Sequence, residues 1–220
     1  MRRPPGRLYH LAEASNLDSI QAHGLMSAES LLVRAGLVET ERAAILRGHR
    51  PDCLRLPNGV VVRDQRPMPP AALSPALDDG MDPGDWYALL NGFVFLWPDR
   101  ARMERHWGAC GGRPQVLLTF DGAAVLDQFG DQAFVSPINT GNARRKAARR
   151  GRGTLVPYRT WLREGWPAGQ PSRPPAEVLF ACTVPARAPY LVGVSREPVP
   201  DDGDPKHGGV DGDPGTASEL

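Results

Sequence analysis

The chain has 220 residues, of which 41% are hydrophobic and 23% charged, a composition typical of globular rather than disordered proteins. No apolar run approaches the roughly 18 residues of a membrane span, and the start, MRRPPGRLYH, lacks the apolar segment of a secretory signal. The net charge of +1 is uneven, because residues 197–220 hold seven acidic side chains against Lys206 alone. This segment therefore carries −6 and residues 1–196 carry +7.

These charges predict one domain over 1–196 and a disordered tail over 197–220, where Gly and Pro accompany the acidic residues. A basic body suits an anionic ligand, a nucleic acid or a phosphorylated cofactor. No heptad or repeated apolar face indicates a fixed dimer, so a monomer is expected.

Short strands and short helices alternate irregularly along the chain. The predicted strands, in chain order, are 8–11, 60–63, 93–97, 115–120, 178–184 and 190–194, with short strands broken by turns over 124–138. The predicted helices are 17–23, 28–35, 39–48, 85–90, 99–107 and 158–164. The Pro-rich residues 66–84 are predicted to form a long loop. Many strands with short helices predict a mixed α+β domain rather than a doubly wound parallel sheet.

Common catalytic and metal-binding motifs are missing. There is no Gly-rich dinucleotide or phosphate loop, no H-E-x-x-H and no G-x-S-x-G. Cys53, Cys110 and Cys182 have no pairwise spacing motif, which favours a reducing cytoplasm over a disulfide scaffold. His106 and Cys110 are four residues apart but no second pair completes a site, so no metal is expected.

The first segment that stands out is Tyr9-His10, followed by a helix that Asn16 is predicted to cap and Gly24 to end. His10 would lie near a helix N-terminus, which favours an anionic or ribose ligand. Alternatively, His10 is a hydrogen-bonded core histidine.

Two further segments each have a functional and a structural interpretation. Arg63 and Arg66 end a strand and could hold a phosphate or carboxylate, or form a surface cluster with Asp64. Five aromatic residues lie within 86–97, and alternation at 93, 95 and 97 places three rings on one strand face. That face could stack on a nicotinamide or a base, or belong to the hydrophobic core.

The strongest candidate nucleic-acid patch is the segment 144–152, which has six basic residues in nine positions and no acid. Its candidate contacts are Arg144, Arg145, Lys146, Arg149 and Arg150. The alternative is a solvated basic helix face.

Glu177 stands at the start of an apolar strand. A single Glu there could act as a catalytic acid or stabilise positive charge developing on a sugar, or it could be an exposed strand end.

In their order along the chain, these pieces resemble DarT-type DNA-targeting ADP-ribosyltransferases and a related group of small uncharacterised bacterial domains. Three short patches carry the resemblance: Tyr9-His10 with Asn16-Leu17, Ile20 and Gly24-Leu25; Arg66-Pro67-Met68; and Ala176-Glu177-Val178-Leu179. The chain departs from the DarT pattern at Ala12, where Thr is expected, and its 85–97 segment is closer to the uncharacterised relatives.

The resemblance implies two small packed β-sheets with short flanking helices, and NAD as co-substrate in a cleft between them. Glu177 would stabilise an oxocarbenium-like transition state, and Arg63 or Arg66 would contact the diphosphate or the acceptor. The residues that would seat the cofactor are His10, Asn16, Arg66, Met68 and one stacking ring among Tyr87, Phe95 and Trp97.

A nucleic acid, DNA or RNA, is the acceptor expected from the basic segment, and it would approach along 144–152 and the 66–84 loop. The same fold acting on protein or a small molecule, or transferring an RNA 2′-phosphate to NAD, stays open. So does a nucleic-acid-binding module whose catalytic site is dead. An antagonist protein cannot be read from one chain, and no membrane contact is predicted.

Overall fold

The computed structural model of the chain describes residues 2–63, 67–108, 112–141, 147–167 and 173–196. Its strands are β1 (Arg7–Glu13), β2 (Leu54–Arg55), β3 (Val61–Val62), β4 (Val94–Leu96), β5 (Gln115–Asp121), β6 (Ala133–Ser136), β7 (Val156–Pro157), β8 (Glu177–Phe180) and β9 (Leu191–Ser195). Its helices are α1 (Leu17–His23), α2 (Ala28–Arg34), α3 (Glu39–Arg47), α4 (Pro70–Leu73), α5 (Pro83–Asn91), α6 (Arg100–Gly108), α7 (Gly122–Phe129) and α8 (Tyr158–Glu164). The mixed helix and strand content agrees with the predicted α+β class. The predicted acidic tail at 197–220 lies outside the described residues.

The strands form small antiparallel sheets. One has three strands in the order β1-β5-β9, one has four in the order β4-β8-β6-β7, and β2 and β3 form a separate pair. The two larger sheets are joined by a bridge between Tyr9 and Trp97, whose N–H groups each donate to the other's carbonyl at 2.9 and 2.8 Å. Next to this bridge, residues of β1 and β4 line an opening between the sheets.

Strand alternation decides which side chains fill the core. Val94 and Leu96 of β4, and Val178 and Phe180 of β8, are buried in one cluster with residues of β1 and β5. The two sheets therefore pack on each other across a shared core. Phe95 and Glu177 belong to the opposite face of the four-stranded sheet because successive strand residues point to opposite sides.

Local signals explain most helix ends. Gly24 ends α1 with φ +85°, as predicted. A side chain there would place a Cβ 2.7 Å from the carbonyl oxygen of Val184, so the position requires glycine both by conformation and by space. Helix α5 begins at Pro83, two residues before the predicted start at Asp85. The capping residue is Asp82, whose side chain accepts a hydrogen bond from the backbone N–H of Asp85.

Two predicted irregular stretches contain helices instead. Within 66–84, Pro70 at the first helical position starts the single turn α4, a position where its missing N–H is tolerated. Within 124–138, Asp121 caps α7 through the N–H of Ala124, and Val125 and Leu126 bury one helix face. The prediction of short strands there was wrong, apart from β6, because the cap and the helical spacing were overlooked. No helix in the described ranges is both long enough and apolar enough to span a membrane.

Candidate functional site

A cavity of about 190 Å³ opens beside β1 and β4. Its walls come from β1, β3 and β4 and from helices α1, α2 and α5. Most of the lining is aliphatic or aromatic, with a few polar groups. The predicted site residues in the wall are His10, Asn16, Arg63, Tyr87 and Phe95.

His10 links the two sheets at this cavity. Its Nδ1 lies 2.8 Å from the backbone oxygen of Phe95, and since a carbonyl can only accept, Nδ1 carries the proton. Burial, opposed by the Phe95 carbonyl and assisted by the charge of Arg63, lowers the pKa of His10 to about 4. The ring is therefore neutral at pH 7, and Nε2 is a hydrogen-bond acceptor.

Arg63 lies in a charged group at one end of the cavity. Its guanidinium donates to the carbonyl of Leu11 at 3.2 Å and lies 3.9 Å from the Oε1 of Glu13. Arg113 reaches the same Oε1 at 3.3 Å and also contacts the sulfur of Cys53. The Arg63 side chain is only 9% exposed, so it belongs to a partly buried ion cluster of the cavity wall. Its predicted partner Asp64, and Arg66, lie outside the described residues.

Asn16 supports the cavity through the backbone rather than as a helix cap. Its Nδ2 donates to the carbonyl of Val61 at 2.8 Å, and its Oδ1 accepts from the N–H of Val61 at 2.9 Å. The side chain makes no capping bond to α1. Asn16 thereby pairs with β3 as a neighbouring strand would and holds β3 against the cavity.

The aromatic residues separate into different surroundings. Phe95 and Tyr87 line the cavity, and the Tyr87 hydroxyl donates to the carbonyl of Met68. Trp97 is buried outside the cavity wall and stacks on His106, with ring centroids 5.6 Å apart. Met68 also lies outside the wall, in a buried cluster next to Tyr87.

Glu177 is 2% exposed, so the interpretation as an exposed strand end was wrong. Its Oε2 accepts two hydrogen bonds from Thr140, at 3.0 Å from the backbone N–H and 2.8 Å from Oγ1. Burial raises the pKa of Glu177 to about 7, although the Thr140 hydrogen bonds and the charges of Arg150 and Arg102 lower it. Glu177 does not line the cavity, whereas Gly141, next to Thr140, does.

Strand pairing nevertheless brings Glu177 close to the cavity. Phe95 pairs with Leu179, so Phe95 and Glu177 are diagonal neighbours on one sheet face, and such neighbours are about 7–8 Å apart. The N–H of Met68 donates to the carbonyl of Gly141 at 3.3 Å. His10 thus lies in the cavity wall, and the patches around Met68 and Glu177 lie next to residues of that wall.

A family model described as "Family of unknown function (DUF7002)" matches residues 6–191, which span strands β1 to β8 and the first residue of β9. The chain belongs to the DUF7002 family. No curated protein matches it.

The basic segment of this DUF7002 member differs from the predicted exposed patch. Arg150 is 1% exposed, and its Nη1 donates to the carbonyl of Thr140 at 3.0 Å, so a polymer cannot reach it. The guanidinium of Arg150 can be buried because its N–H groups donate to the backbone carbonyls of Ala148 and Thr140. Arg149 is exposed but pairs with Asp78, an acid that is distant in sequence. Arg144, Arg145 and Lys146 lie outside the described residues.

Two polar pairs, one in the DUF7002 cavity wall and one next to it, were not predicted from the sequence. Arg50 donates to the Oδ1 of Asn91 at 3.1 Å, and Asn91 donates to the carbonyl of Leu46 at 2.9 Å. Thr140 belongs to a polar turn noted in the sequence, but its contact with Glu177 spans 37 positions and no local pattern indicates it. Among the described residues, no group of three or more His, Cys, Asp or Glu side chains could hold a metal ion.

Proposed function

We propose that this DUF7002 member is an NAD-dependent ADP-ribosyltransferase that modifies a nucleic acid. The observation that carries the proposal is the position of Phe95: it lines the cavity, its backbone oxygen binds His10 of β1, and Glu177 of β8 is its diagonal neighbour on the same sheet face. The resemblance of the His10, Met68 and Glu177 patches to DarT-type enzymes gives the same residues the same roles.

The cavity suits one nucleoside of NAD. Its volume of about 190 Å³ is below the roughly 300–1,000 Å³ of pockets that enclose a drug-sized ligand. NAD would therefore place its nicotinamide riboside inside and extend its other half along the surface. The neutral Nε2 of His10 would accept a hydrogen bond from a ribose hydroxyl, and the ring of Phe95 would stack on nicotinamide.

Glu177 would act on the bond between nicotinamide and the ribose. When this bond breaks, its electron pair leaves with nicotinamide, and positive charge develops on the sugar. A carboxylate hydrogen-bonded to a ribose hydroxyl stabilises that charge, an effect typically worth several kcal/mol. The acceptor then supplies the electron pair of the new bond and releases a proton.

The nucleic-acid acceptor rests on the basic segment 144–152. Within its described part, Arg149 and Arg152 are exposed. The Arg149 pair with Asp78 lies on the surface, where such pairs contribute little. Phosphate contacts could therefore replace it.

A second candidate is a binding module of the same fold without transferase activity. It is favoured by the 2% exposure of Glu177, which does not line the cavity, and by Ala12 in place of Thr. This module would bind nucleic acid without consuming NAD.

One assay separates these functions. Purified protein is incubated with labelled NAD together with single-stranded DNA, RNA or a protein mixture, and Glu177→Gln is tested in parallel. Label on DNA or RNA that is lost in Glu177→Gln, while NAD binding stays within about tenfold, is the expected result. Glu164→Gln is the matched control, since Glu164 is an exposed carboxylate on α8.

Each other outcome assigns a different function. Label on protein alone would keep the chemistry and discard the nucleic-acid acceptor. No label with polymer still bound would establish the binding module. Undiminished transfer by Glu177→Gln would remove Glu177 from the mechanism.

A further inference from the structure

We propose that Thr140 is the positioning residue for Glu177: its two donors fix Oε2, so that Oε1 is the oxygen left for a ligand hydroxyl. This inference rests on the proposed function, because it assigns Glu177 a ligand-binding role. It adds a second residue to that site and states which carboxylate oxygen is used.

The contact between Thr140 and Glu177 has a defined geometry. The backbone N–H and the Oγ1 hydroxyl both donate to the same oxygen, at 3.0 and 2.8 Å. No described residue donates to Oε1. With one oxygen held at two points, rotation of the carboxylate about its last bond would break both hydrogen bonds. Thr140 thereby selects one orientation of Glu177.

The turn that carries Thr140 is anchored opposite Glu177. Ser136 is the partner of Glu177 in the register of β6 and β8. The Ser136 hydroxyl donates to the carbonyl of Ile138 at 2.9 Å and accepts from the N–H of Ile138 at 3.2 Å. These bonds close the turn and return the chain, so that Thr140 reaches the start of β8.

Thr140 is also held from its other side. Its carbonyl accepts from Arg150 at 3.0 Å and from the indole N–H of Trp86 at 3.3 Å. All three residues are at most 1% exposed. Arg150 is itself fixed, because its Nε donates to Ala148 and its backbone N–H donates to Ala76. The support for Glu177 therefore extends from Thr140 into a fully buried polar network.

Charge and hydrogen bonding also keep a fraction of Glu177 ionised at neutral pH. Burial favours the protonated form, whereas the two Thr140 donors and the charges of Arg150 and Arg102 favour the carboxylate, and the pKa results at about 7. Loss of the Oγ1 donor would raise the pKa of Glu177 further. At neutral pH a smaller fraction of the protein would then hold the carboxylate that the reaction needs.

The test measures the titration of Glu177 directly. Protein labelled with ¹³C at Glu carboxyls is titrated by NMR, and the Glu177 signal is assigned by its absence in Glu177→Gln. We expect Thr140→Val to raise the titration midpoint by about one to two pH units, the worth of one hydrogen bond to a charged group. Thr140→Ser keeps both donors and should stay within about 0.3 unit of wild type.

Kinetics give the second readout. Thr140→Val should lower kcat at pH 7 by at least tenfold, keep the KM for NAD within about threefold, and move the acid limb of the pH–rate profile upward. Thr140→Ser should restore all three. Thr160→Val on α8 is the control for loss of a threonine hydroxyl, and Thr140→Ala replaces Thr140→Val should that variant not fold.

An unchanged Glu177 midpoint in a folded Thr140→Val or Thr140→Ala protein overturns the positioning role, whether or not NAD is consumed. A wild-type protein that consumes no NAD overturns the proposed function instead. The two failures are therefore read from separate measurements.

Discussion

His10 and Phe95 are joined by a hydrogen bond of 2.8 Å from the ring Nδ1 to the backbone oxygen, which ties β1 of one sheet to β4 of the other. The ring must be neutral in its buried place, and the pKa of His10 is lowered to about 4. Protonation of His10 at low pH should therefore weaken the packing of the two sheets on each other.

This lowered pKa predicts a pH-dependent stability. The unfolded chain takes up a proton at His10 near pH 6.5 and the native protein only near pH 4. The contribution of the neutral His10 ring to the free energy of unfolding is thus complete above pH 6.5. As the pH falls towards 4, the free energy of unfolding decreases by up to roughly 3 kcal/mol. Urea unfolding between pH 4 and 7 should show a shallower pH dependence for His10→Gln than for wild type. Parallel curves for the two proteins would contradict the buried neutral ring.

His106 provides a comparison for the same experiment, since burial together with the charges of Arg63 and His10 lowers its pKa to about 4 as well. His106→Gln should also flatten the curve.

The paired amide of Asn16 predicts a large loss of stability on truncation. Asn16→Ala leaves the N–H and carbonyl of Val61 without their partners in a buried place. Two lost hydrogen bonds with unsatisfied backbone groups should lower the free energy of unfolding by roughly 2–4 kcal/mol. Asn16→Asp keeps only the acceptor and should fall between. Denaturant unfolding measures both, and Gln21→Ala, at an exposed site of α1, should change little.

Gly24 and Gly36 form a matched pair for separating backbone strain from crowding. Both have positive φ, +85° and +78°, but only at Gly24 would a Cβ meet atoms, 2.7 Å from the Val184 oxygen and 2.8 Å from a methyl of Thr183. Gly36→Ala should lower stability by about 1 kcal/mol. Gly24→Ala should lower it by roughly 3 kcal/mol or more. Equal losses would show that the contact of α1 with the Val184 segment adapts.

The exposed and buried arginines of 149–152 predict opposite effects. The double variant Arg149→Gln, Arg152→Gln should reduce the salt dependence of single-stranded DNA binding by a slope of about 1.4, with little change in Tm. Arg150→Gln should lower Tm and leave the slope unchanged, because its guanidinium is buried against Thr140. Fluorescence anisotropy at several salt concentrations measures the slopes. A slope that fell only in Arg150→Gln would reverse the assignment.

Much of the fold could be predicted because its signals are local. The strand over 93–97 alternates core and cavity residues, and Gly24 ends α1 where the glycine rule places the end. The helices α2, α3, α6 and α8 and the strands β1 and β5 were predicted within a few residues. The observed cap of α5 lies three residues before the predicted one. Asp82 and Asp85 are both residue types that cap helices well, and only the hydrogen bond in the structure distinguishes them.

The site could be predicted only in part, because its decisive contacts are distant in sequence. The sequence indicated Glu177 as a candidate site residue, but it gave no sign of the contact between Glu177 and Thr140. Arg150 was assigned to the surface because its neighbours in the sequence are basic, whereas it is buried. Composition shows that a segment is charged, whereas tertiary contacts decide which charge is buried. Asn16 illustrates the same point, since its side chain pairs with a strand 45 residues away rather than with its own helix.

The pairing of β1 with β5 also has a consequence for how the chain folds. Arg7 lies opposite Asp121, 114 positions further along the chain, and β9 joins the sheet later still. Contacts of such separation slow folding, since a long loop must close before they form. During synthesis, the first strand leaves the ribosome long before its partner has been made, with its apolar residues exposed for that time. Chaperones that bind nascent chains should accordingly engage the first strand.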